Sequence, residues 1–149
     1  TETTRYPGLT SETLLQEQMV IAMPNSHELA SVSAIDLDTL AATPIVLYRQ
    51  ANGSGIGDVL INAMAARGLS PNIVEETQRI LGALSLVASG FGVAVVPASM
   101  EALQLPNLAY RPLGGEGSFT VPLKMAYREN IAAESVKRFL SIAQDSSKA

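Results

Sequence analysis

The stretch Leu84-Ser-Leu-Val-Ala-Ser-Gly-Phe-Gly-Val-Ala-Val-Val-Pro97 changes period halfway along. Before it breaks, Ile80, Leu81, Leu84, Val87 and Ala88 keep the spacing of one apolar helix face. Thr77 is placed to cap that helix and Gly90 to end it. Phe91-Gly92 then leads into Val93-Ala-Val-Val96, an unbroken apolar run stopped by Pro97. A short run of this kind, bounded by turn residues, reads as a strand buried on both faces.

Working outward, the same alternation repeats. Ile45-Val-Leu-Tyr48 is a second buried strand, and Ile56, Val59, Leu60, Ala63 and Met64 form a helix face closed by Gly68 in the C′ position. Ser70-Pro71 turns the chain into a strand at 72–76. Upstream, Met19-Val-Ile-Ala-Met23, stopped by Pro24, is a further buried strand, followed by a loop and one helical turn up to Leu40. Downstream come a short helix from Ser99, an extended segment at 108–112 and a linker-like loop at 114–118. Val121, Leu123, Met125 and Tyr127 then alternate with more solvated neighbours, and Ala132, Val136, Phe139, Leu140 and Ala143 mark a closing amphipathic helix. Strands alternating with helices of about ten residues predict βαβ units, a parallel-rich sheet flanked by helices and an α/β fold.

Composition narrows the function. The 149 residues suffice for one sizeable core. The net charge is −4 with Lys and Arg scattered, so this polypeptide has no basic stripe for nucleic acid and no polybasic segment for a membrane surface. With no cysteine, disulfides and thiolate chemistry are excluded. The single histidine, His27, lies in a polar loop beside Pro24 and reads as a solvated surface residue rather than a base, and metal ligands would have to be carboxylates. No metal and no cofactor is expected. The chain opens at Thr1 rather than at methionine, which suggests a fragment or a processed product.

The strongest local motif is Asn52-Gly-Ser-Gly-Ile-Gly57, between a buried strand and a helix. Orphan N–H groups of Ser54, Gly55, Ile56 and Gly57 at a helix N-terminus favour an anion, although a merely flexible βα turn has the same composition. Thr77 and Gln78 open on the same carboxyl edge of the sheet, where α/β proteins bind ligands. Arg49, at a strand end, is placed to meet a ligand carboxylate, as is Arg79; solvated surface arginines are the plainer reading of both. Gly53-x-Gly55 with Glu75 or Glu76 downstream also suggests a dinucleotide fingerprint. Asp58 occupies its third glycine position, and five residues from Tyr48 to Gly53 are too many for its tight turn.

The 84–97 stretch resembles the helix–Gly-x-Gly–strand–Pro signature of LysR-type transcriptional regulators. The segment from Gly8 to Pro24, followed by His27-Glu-Leu-Ala30, is similar to that family's strand and His-Pro-Leu-Ala-like loop, with Glu28 where proline is usual. Residues 35–40 resemble the short helix before the second subdomain, and 107–113 its closing strand. This likeness implies a type 2 periplasmic-binding-protein-like fold with an incomplete first subdomain. It divides the chain into 1–42 (partial first subdomain and hinge), 43–113 (second effector-binding subdomain) and 114–149 (return strand and C-terminal helix). It also implies a small-molecule sensor, not an enzyme, that self-associates as a dimer or tetramer in the cytoplasm and reaches DNA only through an N-terminal domain not seen here. Val46-Leu47-Tyr48, the segment 95–99 and the segment 104–108 most resemble regulators of aromatic-compound catabolism, which respond to carboxylates such as aromatic acids. In them the loop after the Tyr48-like strand lines the effector cleft, which points to Ser54, Gly55 and Ile56. A periplasmic-type solute-binding fragment and, further off, a dinucleotide-binding enzyme domain are the alternative functions.

Overall fold

A computed structural model describes residues 7–51, 55–115, 119–130 and 133–147. The chain divides into two compact units, Gln18–Thr120 and a second made of Thr1–Glu17 with Val121–Ala149.

In the larger unit, β2 (Ile45–Tyr48) pairs in parallel with β3 (Ile73–Thr77). On its other side β2 meets the start of β4 (Ala94–Pro97) through a parallel bridge between Ile45 and Val93. There the Val93 N–H donates to the Pro44 carbonyl at 2.9 Å and the Val46 N–H to the Val93 carbonyl at 2.8 Å. β4 runs antiparallel to β1 (Leu9–Pro24), with Val20 opposite Val96 and Ala22 opposite Ala94. β1 in turn runs antiparallel to β5 (Leu108–Pro112), with Ala22 opposite Tyr110. The order across the unit is therefore β3-β2-β4-β1-β5, parallel on one side and antiparallel on the other.

The buried strands are apolar at successive positions because helices cover the sheet on both faces. Val20, Ala22, Val46, Ala94 and Val96 form one cluster with Ala83, Leu84 and Val87 of α3 (Ile80–Ala88). The alternate residues Ile21, Ile45, Leu47 and Val95 are buried as well. α2 (Ile56–Ala66) contributes Leu60 and Met64, which lie outside that cluster. Burying a side chain such as Leu84 or Leu60 is worth about 1.5–3 kcal/mol. Gly68 and Gly90 take φ of +70° and +87° after the two helices, the left-handed stops that the sequence predicts.

Several details depart from the sequence reading. The strand predicted at 19–23 is the end of a 16-residue strand. The loop after it contains a 3-10 turn, Glu28–Ser31, as well as the expected helical turn, α1 (Leu37–Ala41). Arg111 of β5 donates to the Ala30 carbonyl of that turn and, with its other terminal nitrogen, to the Tyr110 carbonyl of its own strand. β3 is shifted one residue from prediction and is exposed except at Thr77, being the sheet's edge strand. The two compact units are bounded at 17/18 and 120/121, which is a separate matter from the division at 42/43 and 113/114 that the resemblance implies for effector subdomains. Residues 19–23 pair with β4 and β5 inside the larger unit.

In the smaller unit, β6 (Thr120–Arg128) pairs with β1, and Glu12 links it to α4 (Glu134–Ser146). The Glu12 carboxylate accepts from the Tyr127 hydroxyl at 2.5 Å and from Gln144 Nε2 at 2.6 Å. The apolar face predicted for the closing helix is only partly covered. Leu140 and Ala143 are half-buried while Val136, Phe139 and Ile142 are exposed, and Ala132 lies outside the described residues. Of the predicted linker, residues 116–118 likewise lie outside them. No helix among the described residues is long and apolar enough to cross a membrane.

Candidate functional site

The parallel pairing of β2 with β3 sets Tyr48 beside Thr77 and Leu47 beside Glu76. The Arg49 N–H donates to the Thr77 carbonyl at 3.0 Å, extending the ladder past the last residue of β2. The residues that follow each strand are thereby brought together. Arg49, Gln50, Ala51, Glu76 and Gln78 line an open pocket of ≈ 360 Å³ at the carboxyl ends of the two strands.

Arg49 is half exposed but not loose. Its Nε donates to Asp58 Oδ1 at 2.9 Å, and its Nη2 lies 2.8 Å from the same oxygen. Asp58 sits in the first turn of α2, where a carboxylate also suits the helix dipole. Its second oxygen, Oδ2, is buried without a partner among the described residues. One edge of the guanidinium is thus committed, and the Nη1 edge is left for a ligand. Gln50 donates from Nε2 to the Tyr48 hydroxyl at 2.8 Å. Glu76 enters the pocket from the strand edge. Its own N–H is taken by the Glu75 side chain at 3.1 Å, and its carboxylate has no partner among the described residues.

The start of α2 is built for close approach. Gly55 is its N-cap, and a residue without a side chain leaves the first turn without a side-chain cap. Gly57 is buried under the end of β2: a Cβ there would lie 2.5 Å from the Tyr48 carbonyl oxygen. The glycines therefore bring the helix start down onto the strand that carries Arg49.

Of the predicted site residues, Arg49 and Gln78 line the pocket, while Gly55, Ile56 and Gly57 form the adjoining helix start, with Ile56 buried. Ser54 lies outside the described residues, as do Asn52 and Gly53. Thr77 does not cap α3. The N-cap is Arg79, and the Thr77 hydroxyl accepts from the Arg79 N–H at 3.3 Å, because Thr77 still belongs to β3. Gln50 and Glu76 were not singled out as effector contacts. Glu76 enters the sequence reading only as a candidate acid of the dinucleotide fingerprint and Gln50 not at all, and only strand register brings the two together. The dinucleotide reading loses further ground, since Asp58 is engaged by Arg49. Among the described residues no group of His, Asp and Glu is arranged to hold a metal.

Three kinds of comparison bear on this arrangement. The profile of the LysR substrate binding domain matches residues 1–148. Among curated proteins, the chain is 32% identical over 124 residues to the HTH-type transcriptional regulator BenM of Acinetobacter baylyi, covering 82% of this chain and 40% of that one. Among solved structures, CbnR, a LysR family transcriptional regulator, superposes with a TM-score of 0.86 at 24% identity, over 98% of this chain and 50% of that one. The BenM effector binding domain with its effector benzoate gives a TM-score of 0.79 at 27% identity, over 95% of this chain and 64% of that one. The fold is therefore the type 2 periplasmic-binding-protein-like α/β fold of these domains. The relatives matched are transcriptional regulators and not enzymes. The chain spans less than half the length of the first of them.

Proposed function

Because this chain belongs to the LysR substrate binding domain family, we propose that the effector it senses is a small organic carboxylate bound at the β2–β3 carboxyl edge. The observation that carries this reading is the pocket at Arg49, Gln50, Ala51, Glu76 and Gln78, beside the glycine-bearing start of α2. Such an edge is where open α/β sheets take ligands, and the helix N-terminus adds oriented N–H groups for a negative charge. A charge-assisted hydrogen bond from Arg49 contributes about 1.5–3 kcal/mol. Gly55, Ile56, Gly57, Ser54, Thr77 and Gln78 are the remaining contacts of the proposed site. The related BenM domain takes benzoate, an aromatic carboxylate of the same charge type.

In the whole protein the effector acts by binding one arrangement of a dimer or tetramer better than another and so shifting their populations. DNA is reached through an N-terminal domain beyond this chain, in the cytoplasm. On this reading the predicted blocks 1–42 and 114–149 belong to a first effector subdomain that other parts of the protein complete.

A chemical-shift titration of this chain with benzoate tests the site. The expected result is shifts clustered at 49–57 and 76–79, with an affinity on the order of millimolar. Arg49→Ala weakens binding about tenfold or more, and because it strands the Asp58 carboxylate, only 18% exposed, it also costs about 1–3 kcal/mol of stability. Shifts confined to the neighbourhood of Tyr127 and Phe139 overturn the site.

A further inference from the structure

The pocket at the β2–β3 edge offers a ligand more than a cation. Arg49 is its only positive group among the described lining residues, and Asp58 already neutralises one edge of it. Glu76 adds a carboxylate without a partner among the described residues. Gln50 spends one amide N–H on the Tyr48 hydroxyl and keeps its carbonyl oxygen, with one N–H, for a ligand. That oxygen is oriented toward the start of α2, 3.6 Å from where a Gly55 Cβ would be. Counting Arg49, Asp58 and Glu76, the local charge is negative before any ligand arrives. A plain monocarboxylate would satisfy Arg49 and leave both acceptors facing an added negative charge. A ligand with a donor beside its carboxylate satisfies all of them.

We propose that this pocket selects a carboxylate carrying a second, hydrogen-bond-donating group, a hydroxyl or an ammonium, with the carboxylate on Arg49 and the donor on Glu76. The selection rests on the reading that the effector binds at this edge, and it goes further by naming what distinguishes one carboxylate from another there. Apolar aromatic acids are then the weak ligands of this chain, since Ala51 is the only apolar residue in the described lining. Discrimination comes from Glu76. A ligand donor gains a charge-assisted hydrogen bond to this exposed carboxylate, whereas a plain monocarboxylate meets only its repulsion.

Three ligands with one skeleton separate the possibilities: 3-phenylpropanoate, 3-phenyllactate and phenylalanine, titrated into this chain by NMR. The expected result is that phenyllactate and phenylalanine bind at least about tenfold tighter than phenylpropanoate, the factor that one charge-assisted hydrogen bond sustains. Phenylalanine ahead of phenyllactate identifies the donor as an ammonium, and the reverse order as a hydroxyl. Glu76→Gln should collapse the preference to within about threefold, strengthening phenylpropanoate and weakening phenylalanine. Glu75→Gln, on the opposite face of the same strand, should leave it unchanged. Equal affinities with shifts at 49–57 and 76–79, or a preference that survives Glu76→Gln, overturn the donor requirement and leave the site in place. Absence of shifts in those segments with all three ligands overturns the site and the selection together.

Discussion

Gly57→Ala adds one methyl group at the point where α2 meets the end of β2. The new Cβ would lie 2.5 Å from the Tyr48 carbonyl oxygen and 3.2 Å from the Arg49 Cβ. Helix propensity alone makes alanine about 1 kcal/mol better than glycine inside a helix. Overpacking works the other way, typically at about 1–3 kcal/mol. The obstacle here is backbone of a buried strand, not the tip of a flexible side chain, so the upper part of that range applies. The net result is a loss of about 1–2 kcal/mol, which for a domain of this size lowers Tm by roughly 2–8 °C. Gly55→Ala is the matched control. Its Cβ meets only the Gln50 side chain at 3.6 Å, and its φ of −84° suits any residue. The cost there is the weaker N-cap alone, about 1 kcal/mol or less. Because Gly57→Ala also lifts the helix start away from Arg49, it should weaken carboxylate binding about tenfold as well. Thermal melts of the two variants, with a benzoate titration of each, are the assay. A Gly57→Ala protein as stable as the parent, or more stable than Gly55→Ala, refutes the packing argument.

Two further outcomes follow from the core and from the smaller unit. Leu84→Ala, at the centre of the cluster under β2 and β4, should cost about 2–5 kcal/mol in urea denaturation with an unchanged m-value; a loss below about 1 kcal/mol would mean that α3 does not seal that face. The hydrogen bonds from Tyr127 and Gln144 hold the Glu12 carboxyl below the usual carboxylate range, so the stability it lends is full above that range and lost as pH falls through the lowered folded value. The protection of α4 amides relative to their intrinsic exchange rates should accordingly fall on acidification, and Tyr127→Phe should flatten that dependence; an identical acid profile in the variant would remove Glu12 from the account.

The larger unit was legible because its elements are apolar on a fixed period. Ile45–Tyr48 and the run before Pro97 have no polar position, which only a sheet covered on both faces explains, and Gly68 and Gly90 mark helix ends at their observed places. The first half of β1 was not legible. Residues 9–17 mix Thr, Ser, Glu and Gln with Leu, so no clean alternation announces a strand, and its continuity with 19–23 depends on distant partners. The same strand hid the boundary between the units, since no turn residue interrupts it at 17/18. At the site, the glycines and Arg49 stood out by type and position. Gln50 and Glu76 did not, because what matters about them is the register of β2 against β3, a long-range pairing that composition does not encode.

Arg111 reaches the 3-10 turn Glu28–Ser31 through one backbone carbonyl, that of Ala30, while Leu29 and Ala30 are half-buried and Glu28 and Ser31 exposed. Every residue type offers the same carbonyl, so the attachment is blind to what is written at 28–31. Replacements at 28 and 31 are released from the fold's demands, provided an arginine stands at 111 to read the main chain. Glu28 is exposed, with its acidic side chain in the first turn of the 3-10 helix. Mutational tolerance in this region should therefore be lopsided, broad at the exposed positions 28 and 31 and narrow at a single one some eighty residues away.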